Sequence, residues 1–251
     1  MDKNKIKRLV DLLPAFWRES IGFELTDNSK VLLGSSKIGG TPDVSPDFVW
    51  PIDNEGRPLS LLMQIDCSDI QIVNQERIFP KDGHLYFFLE LSNLPSQSIN
   101  NKVCVLYSDT PTSQLVKTNF PESLFAEGRL KERSINLHKI NSLPLDEDLM
   151  NMNVGHSYSD YEELESAYKL LEYVPADEAG FFGTMLGYAI PIQDSVIDDL
   201  ENEVLLLQLF SFQSTDCQLM FGDWGYIYFT ISKKDLIAKK FNEVKFHLQC
   251  G

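Results

Sequence analysis

Residues 61–91, LLMQIDCSDIQIVNQERIFPKDGHLYFFLEL, decide the fold because their pattern returns later in the chain. The stretch opens with an apolar run that contains Gln64. Gly83, 19 positions after Gln64, begins a second apolar run, which contains a tyrosine and a phenylalanine. The same order returns at Gln208 and Gly225, which are 17 positions apart. The recurrence predicts two copies of one supersecondary unit, packed as a pseudo-symmetric pair around one core.

The chain of 251 residues is long enough for one domain with a substantial core. We predict a single domain over residues 1–251, with an N-terminal helix at about 2–17. Unit A covers about 34–107, a connection with a helix covers about 108–175, and unit B covers about 180–250. The expected fold class is α+β: mainly antiparallel strands, in internally duplicated strand units that form one pseudo-symmetric core with peripheral helices.

Runs of apolar and β-branched residues predict the strands. We expect strands at 30–33, 59–66, 84–91, 103–107, 225–232 and 243–250, and a helix at 159–173 that begins with a Ser159–Glu162 capping box. Ser232 is expected to begin a short helix that runs to Lys240. Residues 120–152 carry the weakest pattern and are assigned to the connection, with short helices after Pro121 and Pro144. The amphipathic N-terminal helix is expected to cover an edge or face of the sheet, or to meet a membrane surface or a partner.

The charge balance excludes two classes of partner. Lys and Arg number 22 against 37 Asp and Glu, so the net charge is −15. Proteins that bind nucleic acid or anionic membranes neutralise phosphates with basic side chains, and this chain has no long basic stretch. We therefore expect no nucleic acid and no membrane partner. The acidity favours solubility, or alternatively an acidic face that docks a basic partner.

The cysteine pattern predicts a reducing compartment. The four cysteines are widely spaced without a Cys-x-x-Cys pair, and the first residues lack the apolar region of a signal peptide. No window approaches 18 continuous apolar residues. These features predict a cytoplasmic protein with reduced thiols, with Cys250 near the surface.

The search for catalytic motifs gives no positive result. The four histidines are too far apart for metal-ligand spacing, and no Gly-x-Ser-x-Gly elbow is present. Ser166 and Lys169 match Ser-x-x-Lys, but they lie on a predicted helix without the companion motifs. We predict no catalytic residue, no metal ligand and no cofactor.

Several residues remain as candidates for binding a ligand. Lys37, Gly39 and Gly40 fit an anion-binding nest, but the pattern favours a tight turn in which the glycines adopt positive φ and Pro42 follows. Gln64 and Gln208 each interrupt an apolar run. They predict either a buried amide bridge between backbones, or two amides that meet near the pseudo-twofold axis and contact a ligand. Trp50 either caps the core or lines a groove, and Asp223 would complete such a site.

The ordered motifs resemble those of the YwqG-like family of bacterial proteins from about residue 30 to the C-terminus. They are Ser36-Lys37-Ile38-Gly39-Gly40 with Pro42, Trp50-Pro51, Pro58-Leu59 with Leu62 and Gln64-Ile65-Asp66, Pro80 with Gly83, Leu85 and Phe87-Phe88, Leu186-Gly187-Tyr188, Leu205-Leu206-Leu207-Gln208, Phe221-Gly222-Asp223-Trp224-Gly225, and Asp235-Leu236 with Phe241. The resemblance implies an α+β structure dominated by antiparallel strands. It implies no reaction, cofactor or catalytic residue.

Two functional hypotheses follow. The first is a non-catalytic protein that binds a partner protein or a small molecule, for example an immunity-type protein that neutralises a basic partner. The second is a small-molecule-binding protein or enzyme with a site between the two units, lined by Lys37, Trp50, Gln64, Gln208 and Asp223. The second hypothesis requires both amides to face accessible space, whereas buried and hydrogen-bonded amides would remove its main support.

Overall fold

The structure, a computed structural model, describes residues 3–26, 30–74, 77–92, 103–145, 148–149, 161–214 and 217–251. Within them lie four helices: α1 (Lys3–Leu12), α2 (Cys67–Val73), α3 (Tyr161–Leu170) and α4 (Lys233–Ile237). The same residues contain fourteen strands. These are β1 (Arg18–Leu25), β2 (Lys37–Ile38), β3 (Asp43–Val44), β4 (Ser60–Asp66), β5 (His84–Leu89), β6 (Val103–Ser108), β7 (Val116–Lys117), β8 (Arg133–Ser142), β9 (Gly183–Leu186), β10 (Glu203–Phe210), β11 (Phe212–Gln213), β12 (Gln218–Leu219), β13 (Tyr226–Ser232) and β14 (Lys245–Gln249).

Ten of the strands form one antiparallel sheet in the order β14-β13-β10-β9-β1-β8-β2-β4-β5-β6. The long pair β1 and β8 lies in the middle. Four strands of unit A continue from β8, and four strands of unit B continue from β1. The predicted α+β class with mainly antiparallel strands is confirmed.

The sheet curls until its two ends approach each other, which encloses one apolar interior. Phe87 on β5 contacts Phe229 on β13, with ring centroids 5.3 Å apart, and both side chains are buried in the largest hydrophobic cluster. Smaller apolar clusters cover the outer face. One includes Leu61 and Phe88 of unit A, and another includes Leu205 and Tyr228 of unit B. Near-continuous apolar runs form β4, β5, β10 and β13 because these strands are covered on both faces.

The two apolar runs that contain glutamine share a local irregularity. The register of β4 against β5 shifts between Leu61 and Met63, and that of β10 against β13 shifts between Leu205 and Leu207. Such a bulge places two residues opposite one and increases the local twist. Gln64 and Gln208 each come directly after the residue at which the shift ends.

The N-terminal helix has a different partner from the one expected. Helix α1 lies at Lys3–Leu12, within the predicted range, but its main contact is α3 rather than the sheet. Ile6 and Leu9 pack with Leu164 and Tyr168 in a separate apolar cluster. The amphipathic pattern predicted the buried face of α1, whereas the identity of the partner depends on α3, which follows about 150 residues later.

Other predictions need correction. Residues 30–33 form no strand, and the polar stretch after Asp66 contains α2, whose first turn is capped by the Asp66 carboxylate. The central strands β1 and β8 were both missed. In β8 only Ile135 and Ser142 are buried, so its sequence shows little apolar alternation. The predicted helix at 159–173 is confirmed over Tyr161–Leu170, while Ser159 of the capping box lies outside the described residues.

No helix in the described part of the chain has the length and apolarity needed to span a membrane.

Candidate functional site

Lys37 lies in a buried network of charged groups. Its side chain is 0% exposed, and its ammonium donates to Asp43 Oδ2 at 2.9 Å and to Glu132 Oε1 at 2.8 Å. The Asp43 carboxylate also accepts from the backbone N–H of Gly34 at 2.9 Å. The second oxygen of Glu132 accepts from Lys117 at 2.6 Å. Lys37 is therefore already paired with two carboxylates inside the protein.

Gly39 and Gly40 form a tight turn after β2. Both have positive φ, +65° and +72°, and a Cβ atom at Gly39 would lie 2.5 Å from the carbonyl oxygen of Lys131. Their N–H groups donate to the carbonyls of Leu62 at 2.8 Å and Leu130 at 2.9 Å. These N–H groups are occupied within the fold, so the geometry is that of the turn rather than of an open anion nest.

The two glutamines form buried amide bridges. Gln64 accepts from the Asp43 N–H at 2.8 Å and donates to Ser35 O and Asp43 Oδ2, both at 3.0 Å. Gln208 accepts from the Ile190 N–H at 3.0 Å and donates to the Ile190 carbonyl at 2.8 Å. Both side chains are 0% exposed. The arrangement removes the main support for a ligand site between the two units.

A tyrosine accompanies each glutamine. Tyr86 donates to the Asp43 carbonyl at 2.7 Å, and Tyr228 donates to the Ile190 carbonyl at 3.0 Å. Gln64 and Tyr86 thus bind the N–H and the C=O of Asp43, and Gln208 and Tyr228 bind those of Ile190. Each of these two bound residues follows a glycine turn. The bridges connect strands to loops and contribute to stability.

We predict that Gln64→Ala and Gln208→Ala each lower the free energy of unfolding by about 1–3 kcal/mol, because each leaves buried backbone groups unpaired. Gln64 also donates to a carboxylate, so its loss is expected to be the larger. Urea unfolding followed by circular dichroism measures both changes. A midpoint for Gln64→Ala equal to that of the parent protein would contradict the bridge.

Trp50 and Asp223 lie away from the network. The Trp50 indole N–H donates to the Leu59 carbonyl at 2.8 Å, and its ring packs edge-on against Phe88 in the outer cluster over unit A. Asp223 is exposed on the turn before β13. The seven predicted binding residues are therefore distributed: four lie around β2 and β4, while Trp50, Gln208 and Asp223 lie at three other places.

The residue that follows Asp223 is the most unusual on the described surface. Trp224 is 54% exposed and has φ of +54°. Such a φ is an outlier for a bulky residue and costs roughly 1–3 kcal/mol. Ser211 holds the turn, because its hydroxyl donates to Gly225 O at 2.7 Å and accepts from Phe221 N at 2.9 Å.

The strand that follows this turn holds a carboxylate. Asp177 accepts from the hydroxyl of Tyr226, two residues after Trp224, at 2.9 Å. Burial, together with Asp177, raises the pKa of Tyr226, so the phenol stays protonated and donates. Residues 192–194 are tied to the end of β14, where Gln249 donates to the Asp194 carbonyl at 2.7 Å. A Cβ atom at Gly225 would lie within 3 Å of the Gln249 carbonyl oxygen and of the Cys250 Cβ, so the turn packs closely against the end of β14.

We call this surface the Trp224 face, defined as Trp224, its neighbour Asp223, and Asp177 and Glu178, whose charges act on Tyr226. In the part of the chain that the structure describes, no Lys or Arg nitrogen lies within 4 Å of these carboxylates. Sequence reasoning named Asp223 and missed Trp224. The available signal was a tryptophan between Gly222 and Gly225, since glycines on both sides favour an exposed turn.

The described residues contain no group of three or more His, Cys, Asp or Glu side chains placed to hold a metal ion. Burial raises the pKa of the Cys67 thiol to about 12 and also raises that of Cys104. Both thiols are therefore protonated near neutral pH and lack the reactivity of a thiolate. What the geometry offers is a surface for recognition, with an aromatic side chain and several carboxylates.

Comparison with known proteins places the chain in a family. The model of the family described as Domain of unknown function (DUF1963) matches residues 36–250, from Ser36 to Cys250. The match covers units A and B together with the connection between them. No curated protein matches the sequence. The chain belongs to the DUF1963 family.

Proposed function

We propose that this protein is a non-catalytic binding protein that docks a basic partner at the Trp224 face. The observation that carries the proposal is an exposed tryptophan with a strained backbone. It stands next to Asp223 and two residues before the tyrosine that binds Asp177, and within the described residues no Lys or Arg pairs with either carboxylate. An immunity-type role, in which the partner is a basic protein that must be neutralised, is one form of this function.

The strained turn supports a role in recognition. An exposed tryptophan in the left-handed region lowers stability, and Ser211 is positioned to maintain that conformation. Tryptophan is enriched among the residues that dominate binding energy at protein interfaces. Because the backbone turn is already held, less conformational entropy is lost when a partner binds.

The charges of the face define the chemistry of the partner. An arginine or lysine can stack on the indole while neighbouring carboxylates accept its hydrogen bonds. A net charge of −15 would also steer a basic partner towards the protein and make the association rate fall with salt.

A labelled arginine–serine repeat peptide tests the proposal by fluorescence anisotropy at several salt concentrations. We expect Trp224→Gly to weaken binding by roughly thirtyfold, the effect of losing an interface anchor worth about 2 kcal/mol. The same change removes a strained side chain, so the stability of the protein should stay equal or rise.

Asp223→Asn and Asp47→Asn form a matched pair, since each removes one exposed carboxylate, the second in the loop before Trp50. Only Asp223→Asn should weaken binding clearly. Equal effects of the two variants would indicate a response to overall charge, and unchanged binding by Trp224→Gly would reject the Trp224 face.

We also propose that units A and B arose by duplication and that the chain is YwqG-like within its family. Support comes from the matching strand order on the two sides of β1 and β8, and from the register shift that precedes each glutamine. Further support comes from the paired contacts of Gln64 and Tyr86 with Asp43, and of Gln208 and Tyr228 with Ile190.

On this proposal, the two units differ at two positions around the glutamine. Lys37 lies opposite Gln64 in the register, and Thr184 lies opposite Gln208. The Thr184 hydroxyl is buried without a hydrogen-bond partner, and Ile190 stands where unit A has Asp43. The charged network is therefore built on unit A, with Glu132 and Lys117 from the connection, and unit B has Thr184 and Ile190 at the corresponding positions.

A further inference from the structure

The two ends of the sheet leave an open seam between β6 and β14. A crevice of about 630 Å³ separates them. Its lining residues are Val103, Cys104, Val105 and Leu106 on one side and Phe241, Asn242, Val244, Lys245, Phe246 and His247 on the other. At one end the seam is narrow, since the rings of Tyr107 and Phe241 are 5.8 Å apart.

Each wall of the seam is a sheet edge. Among the described strands, β6 pairs only with β5, and β14 pairs only with β13. Every second residue of each strand therefore directs its backbone N–H and C=O into the seam. Open edges of this kind bind extended chains, and proteins normally cover or disrupt them. The backbone of another extended segment carries the C=O and N–H groups that would pair with both edges.

The side chains next to the seam define the pattern of that segment. Val105 and Phe246 face the apolar interior, whereas Cys104 and His247 face outward. Nε2 of His247 is buried and has no hydrogen-bond partner among the residues that the structure describes. A bound strand would therefore place apolar residues inward and small hydroxyl residues outward, because a hydroxyl can donate to or accept from the imidazole.

The charge near the seam differs from that of the whole chain. Residues 233–247 carry five lysines against two acidic residues, in a protein with a net charge of −15. Lys239 lies over the Tyr107 ring at 4.6 Å and has no carboxylate within 4 Å among the described residues. Lys240 lies 3.9 Å from Asp235, and Lys245 is paired with Glu203 at 2.8 Å. No acidic residue lines the crevice.

We propose that the seam between β6 and β14 binds an extended acidic peptide of a partner protein as an additional strand, with alternating apolar and hydroxyl residues and acidic ends. Along ten antiparallel strands, the first and the last run in opposite directions. The bound strand thus runs antiparallel to one wall and parallel to the other. Five residues, the length of β14, span about 17 Å in this conformation.

A fluorescein-labelled peptide of alternating valine and threonine, with glutamates at both ends, tests the inference by anisotropy and by alkylation of cysteine. The alkylation is run at alkaline pH, where the half-buried Cys104 thiol begins to ionise and its slow reaction can be followed. We expect the bound peptide to slow alkylation of Cys104, which lines the seam, and to leave Cys250 unchanged as an internal control. A copy of the peptide with N-methyl groups on alternate residues should bind roughly tenfold more weakly or worse, because it loses backbone hydrogen bonds.

Matched charge variants complete the test. Lys239→Glu should weaken binding several-fold, whereas Lys139→Glu, a half-exposed lysine on β8, should not. Trp224→Gly should leave this peptide's binding unchanged, so that failure of this site and failure of the Trp224 face are distinguishable.

Three results would overturn the inference: no protection of Cys104 at saturating peptide, equal binding of the N-methylated copy, or equal effects of the two lysine variants. Protection of Cys104 by self-association at high protein concentration, without peptide, would assign the seam to a second copy of this chain instead.

Discussion

Lys37→Met is expected to lower the free energy of unfolding by about 3–5 kcal/mol, because removing one partner leaves a buried charge without its counter-charge. The Lys37 side chain is 0% exposed, and the Asp43 carboxylate to which it donates is 1% exposed. The remaining donors to Asp43, from Gly34 and Gln64, carry no formal charge. Guanidinium unfolding followed by fluorescence measures the loss.

Lys117→Met is the matched control. Lys117 contacts the same carboxylate group, Glu132, at 2.6 Å, but its side chain is 52% exposed, and such a surface pair contributes about 0–1 kcal/mol. Asp43→Asn combined with Lys37→Met should be less destabilising than the sum of the single changes, with a coupling of roughly 1–3 kcal/mol. The interpretation fails if Lys37→Met costs no more than Lys117→Met.

Phe229→Ala is expected to lower the free energy of unfolding by about 3–5 kcal/mol, the cost of deleting a large buried side chain and leaving a cavity. Phe229 is 0% exposed and contacts rings from two other strands, Phe87 at 5.3 Å and Phe246 at 5.1 Å between centroids. It therefore connects unit A with unit B across the interior. Urea unfolding of the purified variant measures this cost.

Phe246→Ala provides the comparison within the same cluster. Phe246 is half-buried at the seam, so it buries less apolar area and its surroundings include solvent. Its loss should cost clearly less than that of Phe229. If Phe246→Ala destabilises the protein as much as Phe229→Ala, then Phe229 is not the side chain that connects the two units across the interior.

Strands covered on both faces were predictable because their own residues carry the signal. The runs that form β4 and β5 in unit A, and β10 and β13 in unit B, are apolar at nearly every position. Their caps and turns were also local features, such as Ser232 at the start of α4. The central strands β1 and β8 were missed because each carries charged residues and is placed by its neighbours in the sheet rather than by its own pattern.

The candidate site was less predictable. Asp223 was named from its motif, but the importance of Trp224 rests on a backbone angle and an exposure that composition does not encode. The carboxylate of Asp177 joins it only because Tyr226 on β13 binds a segment that lies 49 residues earlier in the chain.

The sequence by itself determined the buried strands and their local chemistry: which runs are apolar on both faces, that a glutamine within such a run must find partners, and that the chain is acidic. Local pattern suffices for these conclusions because burial period, hydrogen-bonding capacity and charge are properties of the residues themselves. Only the tertiary structure decided that Lys37 pairs with Asp43 and Glu132, that the glutamines are closed to solvent, and that the sheet ends leave a seam. These features depend on contacts between residues far apart in the chain, and on how far the sheet curls before its edges meet.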